Sequence, residues 1–201
     1  ELRKLQHQVS ALQCKNDSID DLPTSMIVFL TLEHHLAVSY TQLPTSIEHV
    51  DQRLEHLKTC CSLWDNFFRT LEALEQLSKE EVKQYYTLMD DTDEESSEIL
   101  PPVNRDTKIA RHRMKQEIKT ERERLAAMNE RRTRLGMAET ETVDGHDADS
   151  LTRSLALNEL ELAKLDAFDE WANTLRELPM VARMLKNRGA PPSRPPPPSQ
   201  G

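Results

Sequence analysis

The chain has 201 residues, a formal net charge of −9 and a hydrophobic content of 37%. It contains only 2 Trp, 3 Tyr, 4 Phe and 4 Gly. Parallel-sheet enzymes need Gly-rich turns and near-continuous apolar strands, and β-sandwiches need many turn residues, so the composition argues against both. Few aromatics and many charges are typical of long amphipathic helices, and we expect an all-α fold.

Net charge and cysteine content indicate which ligands and which compartment suit the protein. An acidic chain is a poor default binder of nucleic acids or membranes. The three cysteines, Cys14, Cys60 and Cys61, do not form a disulfide framework, which indicates a reducing compartment. The longest apolar run, residues 26–30, is far shorter than the roughly 20 residues of a membrane span. We therefore expect a cytoplasmic protein, or one of the cytoplasm and nucleus, without membrane association.

Helices are predicted from the spacing of apolar residues in the N-terminal half. A first helix is predicted over about 1–15, where apolar residues recur every three or four positions. A second is predicted over 24–42, with Thr24 or Ser25 as its N-cap. Because this second helix is apolar nearly all round, we expect it to be the central helix of a bundle.

The strongest periodicity in the chain predicts a third helix over 46–76. Its apolar positions follow one another at alternating spacings of three and four, as on one helix face. These positions are Ile47, Val50, Leu54, Leu57, Cys61, Trp64, Phe68 and Leu71. Thr45 and Glu48 have the spacing of a capping box that would begin this helix.

A short helix and a linker follow the third helix. Ser78 and Glu81 have capping-box spacing and predict a helix over 79–89. Residues 90–103 are rich in acids and end near two prolines, so we expect a mobile linker because like charges repel and proline interrupts helices.

Two long helices are predicted in the C-terminal half. The first covers 105–135, with Asn104 as its cap and Gly136 as its stop. Its apolar residues are Met114, Ile118, Leu125, Met128 and Leu135. The second covers 147–186 and carries two apolar stripes, so we expect it to contact two neighbours. Residues 1–186 thus form one helical domain, and the Pro-rich residues 187–201 are predicted to be a disordered tail.

No residue pattern indicates catalysis, a metal or a cofactor. Adjacent His34 and His35 point about 100° apart on a helix, whereas a zinc pair needs i, i+4 spacing. His146 stands without a second histidine cluster. The Cys60-Cys61 pair lacks CxxC spacing, and Cys61 falls on an apolar helix face as a core thiol. The chain has neither a Gly-rich phosphate loop nor a GxSxG motif. We expect a protein that is not an enzyme.

Charge is distributed very unevenly between the two C-terminal helices. Residues 104–134 contain eleven bases and five acids, and residues 139–178 contain eleven acids and three bases. One interpretation is a purely structural helical adaptor, in which the two arms form a hairpin and attract each other. A second interpretation concerns the bases that recur every three or four residues at the start of the first helix and share one face. They are Arg105, Lys108, Arg111 (or His112) and Lys115.

Such a basic face suits either an acidic protein partner or the phosphates of a nucleic acid. Residues 87–167 contain no aromatic side chain, so bases would have no stacking platform and single-stranded nucleic acid is disfavoured. Binding of a phosphate backbone through residues 104–134 remains the alternative hypothesis.

The basic segment also resembles a known family. Residues 105–117, with the sequence RDTKIARHRMKQE, are similar to the basic helix of the alpha-4 family of Tap-forty-two-like regulators, also called immunoglobulin-binding protein 1. Residues 20–30 and 53–68 resemble the second and third helices of that family. Residues 150–178 resemble its long helix, which is rich in Leu, Glu and Asp and contains a Trp.

The resemblance implies a fold and a function. The fold would be a tetratricopeptide-like antiparallel bundle or solenoid of long helices without enzymatic activity. Such a protein would bind and stabilise the catalytic subunits of type 2A, type 4 and type 6 protein phosphatases, acting in TOR-linked signalling. With this partner we expect no nucleic-acid ligand, and we expect a monomer in isolation.

The resemblance also assigns residues to the phosphatase contact. Arg105 and Lys108 match the first two charged positions of the family's basic helix, the principal contact element. Arg111, Arg113 and Lys115 follow the pattern more loosely and complete the predicted partner-binding set.

Overall fold

The computed structural model describes residues 18–90, 105–137 and 147–188, and all regular structure in those ranges is helical. The helices are α1 (Thr24–Leu30), α2 (Leu32–Thr41), α3 (Val50–Ala73), α4 (Lys79–Asp90), α5 (Arg105–Leu135) and α6 (Ala148–Arg188). Short 3-10 turns, Ile19–Asp21 and Ile47–His49, precede α1 and α3. None of the described helices is both long enough and apolar enough to cross a membrane.

Four predictions lie outside the described residues. They are the helix over 1–15, the mobile linker beyond Asp90, the Asn104 cap and the disordered tail beyond Arg188. Asn187 and Arg188 themselves are helical, so α6 extends two residues past its predicted end.

Helix α6 is the central helix of the fold, because it packs against each of the other five α-helices of the described residues. One of its faces completes the main core. There Phe168 and Trp171 contact Phe68 of α3, with ring centroids 4.3 Å and 5.7 Å apart. On another face, Leu151 packs against Leu125 of α5 in a smaller cluster. The prediction that the last helix contacts two neighbours is wrong in number, since the helix packs against five, although it does bury two apolar faces.

The predicted helix over 24–42 is broken and is not central. It divides at Thr31, whose hydroxyl donates to the Val28 carbonyl at 2.9 Å and tightens the turn. Val28 and Phe29 are 55% and 42% exposed, so the apolar circumference of this segment is not fully buried. The predicted caps are also wrong, because Pro23 precedes α1 and no side chain caps it.

The α3 segment differs from its prediction at both ends. Ser46, rather than Thr45, caps the preceding 3-10 turn, and its hydroxyl accepts from the Glu48 N–H. At the other end, Glu75 has a φ of 56°, a left-handed conformation that stops the helix at Ala73 instead of residue 76.

Three other predicted helix ends are confirmed. Ser78 and Glu81 exchange hydrogen bonds at 2.8 Å and 3.3 Å as a capping box. The Asp147 carboxylate accepts from the Ser150 N–H at 2.8 Å. Gly136 ends α5 with a φ of 60°, which is why glycine suits this position.

The predicted apolar face of α5 is only partly buried. Leu125 and Met128 are buried, whereas Met114 and Leu135 are 47% and 63% exposed. Helix α5 therefore contributes apolar packing near its middle, and its first turns are held by other means.

The structure of the main core predicts that replacing two different phenylalanines lowers the free energy of unfolding by very different amounts. Phe68 is fully buried among aromatic rings, so Phe68→Ala leaves a cavity and lowers the free energy of unfolding by about 3–5 kcal/mol. Phe29→Ala, at a position 42% exposed, lowers it by less than about 1 kcal/mol. Urea unfolding followed by circular dichroism measures both. Equal losses would contradict the placement of the core.

Candidate functional site

Charged side chains hold the start of α5 against α6. Arg111 contacts Asp169 at 2.7 Å, and Lys115 contacts Asp166 at 2.7 Å and Asp169 at 2.6 Å. The side chains of Arg111 and Lys115 are only 11% and 15% exposed, whereas those of Asp169 and Asp166 are 34% and 49% exposed, so each pair is partly buried. We call these four residues the Asp169 cluster.

Arg111 also connects α5 to α4 and to the main core. Its guanidinium donates to the Gln84 side chain of α4 and lies 5.4 Å from the centroid of the Phe168 ring. A planar guanidinium can serve a carboxylate, an amide oxygen and an aromatic face together, which a lysine ammonium cannot do as well. The first turns of α5 are therefore fixed by three contacts of one side chain.

The protonation of the Asp169 cluster follows from its geometry. Partial burial opposes ionisation of Asp169, but the hydrogen bonds and charges of Lys115 and Arg111 outweigh it and lower the pKa of Asp169. Burial likewise opposes the charge on Lys115, and the hydrogen bonds to Asp166 and Asp169 raise its pKa above the ordinary value. All of these contacts favour the ionised pairs.

The antiparallel register continues along the hairpin. Beyond the cluster, Arg122 pairs with Glu159, an exposed contact farther along both helices. In the opposite direction, toward the start of α5, the acids of α6 give way to Asn173 and Arg176. The next acid, Glu177, is held by two hydrogen bonds of 2.7 Å from Arg53 of α3.

Three bases at the start of α5 remain exposed. Arg105, Lys108 and Arg113 form no ion pair with any residue inside the described ranges. We call these three residues the basic entrance. Of these three bases, Lys108 lies beside Asn173 and Arg176 of α6.

A groove of about 260 Å³ runs along this part of the α5–α6 interface. We call it the cationic groove. It is lined by Lys108, His112 and Lys115 from α5 and by Asp169, Asn173 and Arg176 from α6.

The five predicted partner-binding residues thus fall into two groups. Arg105, Lys108 and Arg113 are exposed, whereas Arg111 and Lys115 make contacts within the chain. The predicted common face is divided because Lys115 and Arg111 turn toward Asp169. Sequence reasoning missed Asp169, and the available signal was the pair Asp166 and Asp169 at helical spacing opposite the bases.

Other groups with possible chemistry are buried. Burial raises the pKa of the Cys60 and Cys61 thiols to about 12, and the Cys60 thiol donates to the Ala37 carbonyl at 3.3 Å. His34 is buried beside Phe67, as a packing histidine would be. The described residues contain no group of three or more His, Cys, Asp or Glu that could hold a metal ion.

The fold and site define an all-α protein of antiparallel helices with an exposed cationic surface at one helix start. Comparison with family models then identifies its family: the TAP42-like family model matches residues 1–200, and the chain belongs to this family. This is a regulatory adaptor family rather than a known enzyme family, and membership supports a phosphatase-regulatory role in general terms.

The fold has a counterpart among solved structures. The chain is similar to one described as "The Structure of Tap42 Alpha4 Subunit", with a TM-score of 0.65 and 20% sequence identity. The similarity covers 92% of this chain and 82% of the other. At this identity it shows the fold, and it confirms the predicted helical architecture. A comparison with curated protein sequences returns no significant match.

The Asp169 cluster predicts a specific stability loss. Asp169→Asn leaves Arg111 and Lys115 with one carboxylate fewer, and we expect a loss of about 1–3 kcal/mol in the free energy of unfolding at neutral pH. Because folding lowers the pKa of Asp169, the parent loses this contribution as pH falls below about 4, and the variant does not. Urea unfolding at pH 7 and pH 3 measures both effects.

The exposed pair farther along the hairpin provides the control. Glu159→Gln removes the partner of Arg122, with side chains 41% and 46% exposed, and should change stability by at most about 1 kcal/mol. Hydrogen exchange should accelerate across residues 105–115 in Asp169→Asn only. Equal effects in both variants would contradict the anchoring role of the cluster.

His34 predicts a second pH dependence. Burial and the charges of His35 and Lys115 lower the pKa of His34 from 6.5 to about 4, with Asp166 opposing them. The unfolded chain therefore takes up a proton that the folded chain excludes, and stability falls by up to about 3 kcal/mol as pH drops from 6.5 to 4. His34→Leu should remove this slope, as measured by thermal unfolding across that range.

An exposed histidine is the matched control for this test. His112→Leu makes the same substitution on the surface of α5 and should retain the slope. If the slope persists in His34→Leu, its source is another group.

Proposed function

We propose that this chain is a non-enzymatic regulatory subunit that binds and stabilises the catalytic subunit of a type 2A-like protein serine/threonine phosphatase. The observation that carries the proposal is the basic entrance. Acids of α6 pair with Arg111 and Lys115, whereas Arg105, Lys108 and Arg113 are exposed and form no ion pair inside the described ranges. Family membership supports this class of partner, and the exposed charge supports this surface as the contact.

The contact would be charge pairing between the basic entrance and carboxylates of the catalytic subunit. Complementary charges accelerate encounter and fix the register of two proteins. Once water is excluded, losing one partner of such a pair costs about 2–5 kcal/mol. Carboxylates of the partner would thus pair with the bases of α5 that lie beyond the contact between Arg111 and Asp169.

The sequence pattern places Arg111 and Lys115 in the contact with the partner. In this proposal they act instead within the chain. Their contacts with Asp166 and Asp169 hold the first turns of α5 in place. They therefore position the basic entrance and present Arg105 and Lys108 on a rigid helix, so that little conformational entropy is lost on binding.

The proposal also names the partners, the pathway and the compartment, which go beyond the general regulatory role of the family. We include the type 4 and type 6 catalytic subunits as partners and TOR-linked signalling as the pathway, in the cytoplasm or the cytoplasm and nucleus. The chain would act as a monomer that holds the catalytic subunit.

Two competing hypotheses make different predictions. A purely structural pairing of the two arms accounts for Arg111, Lys115 and Arg122 but gives no role to the exposed Arg105 and Lys108. A binder of nucleic-acid phosphates would lose affinity steeply with salt, with a slope set by the number of phosphates contacted.

Charge reversal at the basic entrance tests the proposal. Arg105→Glu/Lys108→Glu places acids against an acidic partner, so affinity for purified type 2A catalytic subunit should fall at least about 100-fold. The variant should keep the helicity and melting temperature of the parent because both positions are exposed. Calorimetry and circular dichroism measure the two properties.

A second double variant controls for net charge. Lys119→Glu/Arg131→Glu makes the same charge change on exposed positions of the same helix and should bind within a few fold of the parent. The phosphatase proposal fails if the folded parent does not bind. The site assignment fails if the two double variants weaken binding equally.

A further inference from the structure

A cleft of about 370 Å³ lies between α3, the end of α4 and α6. We call it the Trp171 cleft. Its apolar walls come from Trp171 and Leu178 of α6, Met89 of α4 and Cys61 of α3. It shares no lining residue with the basic entrance or the cationic groove, so it is separate from the surface proposed to contact the phosphatase.

The indole N–H of Trp171 is a buried donor that has no adequate acceptor. Trp171 is fully buried, and its Nε1 forms no hydrogen bond inside the described ranges. Burial raises the pKa of the Cys61 thiol to about 12, and the nearby indole N–H opposes this rise without reaching hydrogen-bond geometry. Because sulfur is a weak acceptor, an oxygen atom brought to this N–H would gain free energy.

The size and lining of the cleft are those of a small-molecule site. Such sites measure roughly 300–1,000 Å³ and combine mostly apolar walls with a few placed polar groups. A cavity of about 150 Å³ is large enough to hold benzene. The Trp171 cleft, at about 370 Å³, therefore has room for a ring with a short substituent.

The charged residues at the cleft do not favour an ionic ligand. The Asp65 carboxylate accepts hydrogen bonds from Tyr85 and Arg69, each at 2.8 Å. Lys58, which also lines the cleft, has a partner within the chain. The Cys61 thiol stays protonated at neutral pH, so this wall is uncharged and a poor nucleophile. Recognition is thus left to apolar surface and to the N–H of Trp171.

We infer that the Trp171 cleft binds a small neutral molecule that has a ring-sized apolar body and a carbonyl oxygen. The body would pack against Trp171 and Leu178, and the oxygen would accept the indole N–H in place of the Cys61 sulfur. This contact requires Cys61 to change one side-chain torsion. The site goes beyond the phosphatase-regulatory role and does not depend on it.

NMR spectra of the two indole N–H groups of the intact chain test the inference. The probes are acetophenone, an aromatic ketone, and toluene, which has the ring but no acceptor. Both should shift the methyl signals of Leu178, and only acetophenone should move the Nε1–H signal of Trp171 downfield. The Nε1 of Trp64 is also buried without a partner inside the described ranges but does not line the cleft, so its signal should not move.

A substitution that fills the cleft from its rim provides a second test. Ser62 lines the cleft and is exposed, so Ser62→Leu should keep the melting temperature of the parent. The leucine occupies space that the ligand needs and should weaken acetophenone binding by about 10-fold or more. Asn66→Leu adds the same side chain one turn farther along α3, outside the cleft, and should bind like the parent.

Each outcome of these measurements supports or overturns a stated part of the inference. If neither probe shifts the signals of Leu178 and Trp171, the cleft binds no such molecule. If toluene moves the Trp171 N–H signal as far as acetophenone does, the carbonyl contact is overturned. If Ser62→Leu and Asn66→Leu bind acetophenone equally well, the cleft is not the binding site. None of these measurements includes the phosphatase, so their failure leaves the proposed function standing.

Discussion

The position of the first turns of α5 depends on one carboxylate, that of Asp169. It accepts from both Arg111 and Lys115, and through Arg111 it joins α5 to the amide of Gln84 and the ring of Phe168. The first turns of α5 have few buried apolar residues, since Met114 is largely exposed. Hydrophobic burial therefore does little to fix them, and the charged contacts decide where the basic entrance lies.

The charged residues of the α5–α6 hairpin fall into two groups, those paired within the chain and those left exposed. Along the hairpin, Arg111, Lys115 and Arg122 pair with carboxylates of α6. Toward the start of α5, the carboxylates of α6 end before the bases of α5 do. The bases at the start of α5 that lie beyond the last paired carboxylate of α6 thus form an exposed basic surface. The net acidity of the chain conceals this surface, because the excess acids lie elsewhere.

The sequence predicted most of the helices because their apolar spacing and caps are local properties. The capping box of Ser78 and Glu81 is one such case, and the stop at Gly136 is another. The break at Thr31 was missed because threonine hydroxyls also bond to preceding carbonyls inside unbroken helices, as at Thr59 and Thr120, so the residue type alone does not mark a break. For the site, periodicity found the bases but could not separate Arg111 from Lys108. That distinction depends on the position of Asp169, 58 residues from Arg111 along the chain.

The position of α6 at the end of the described chain has a consequence for synthesis of the protein. Trp171 and Phe168 complete the aromatic core around Phe68, yet they leave the ribosome about a hundred residues later. Until then α3 exposes the face that α6 will cover, and the earlier helices cannot form a finished core. The nascent chain should thus stay partly folded and open to chaperones until residues 148–188 have left the ribosome, and completion of the core should follow their release.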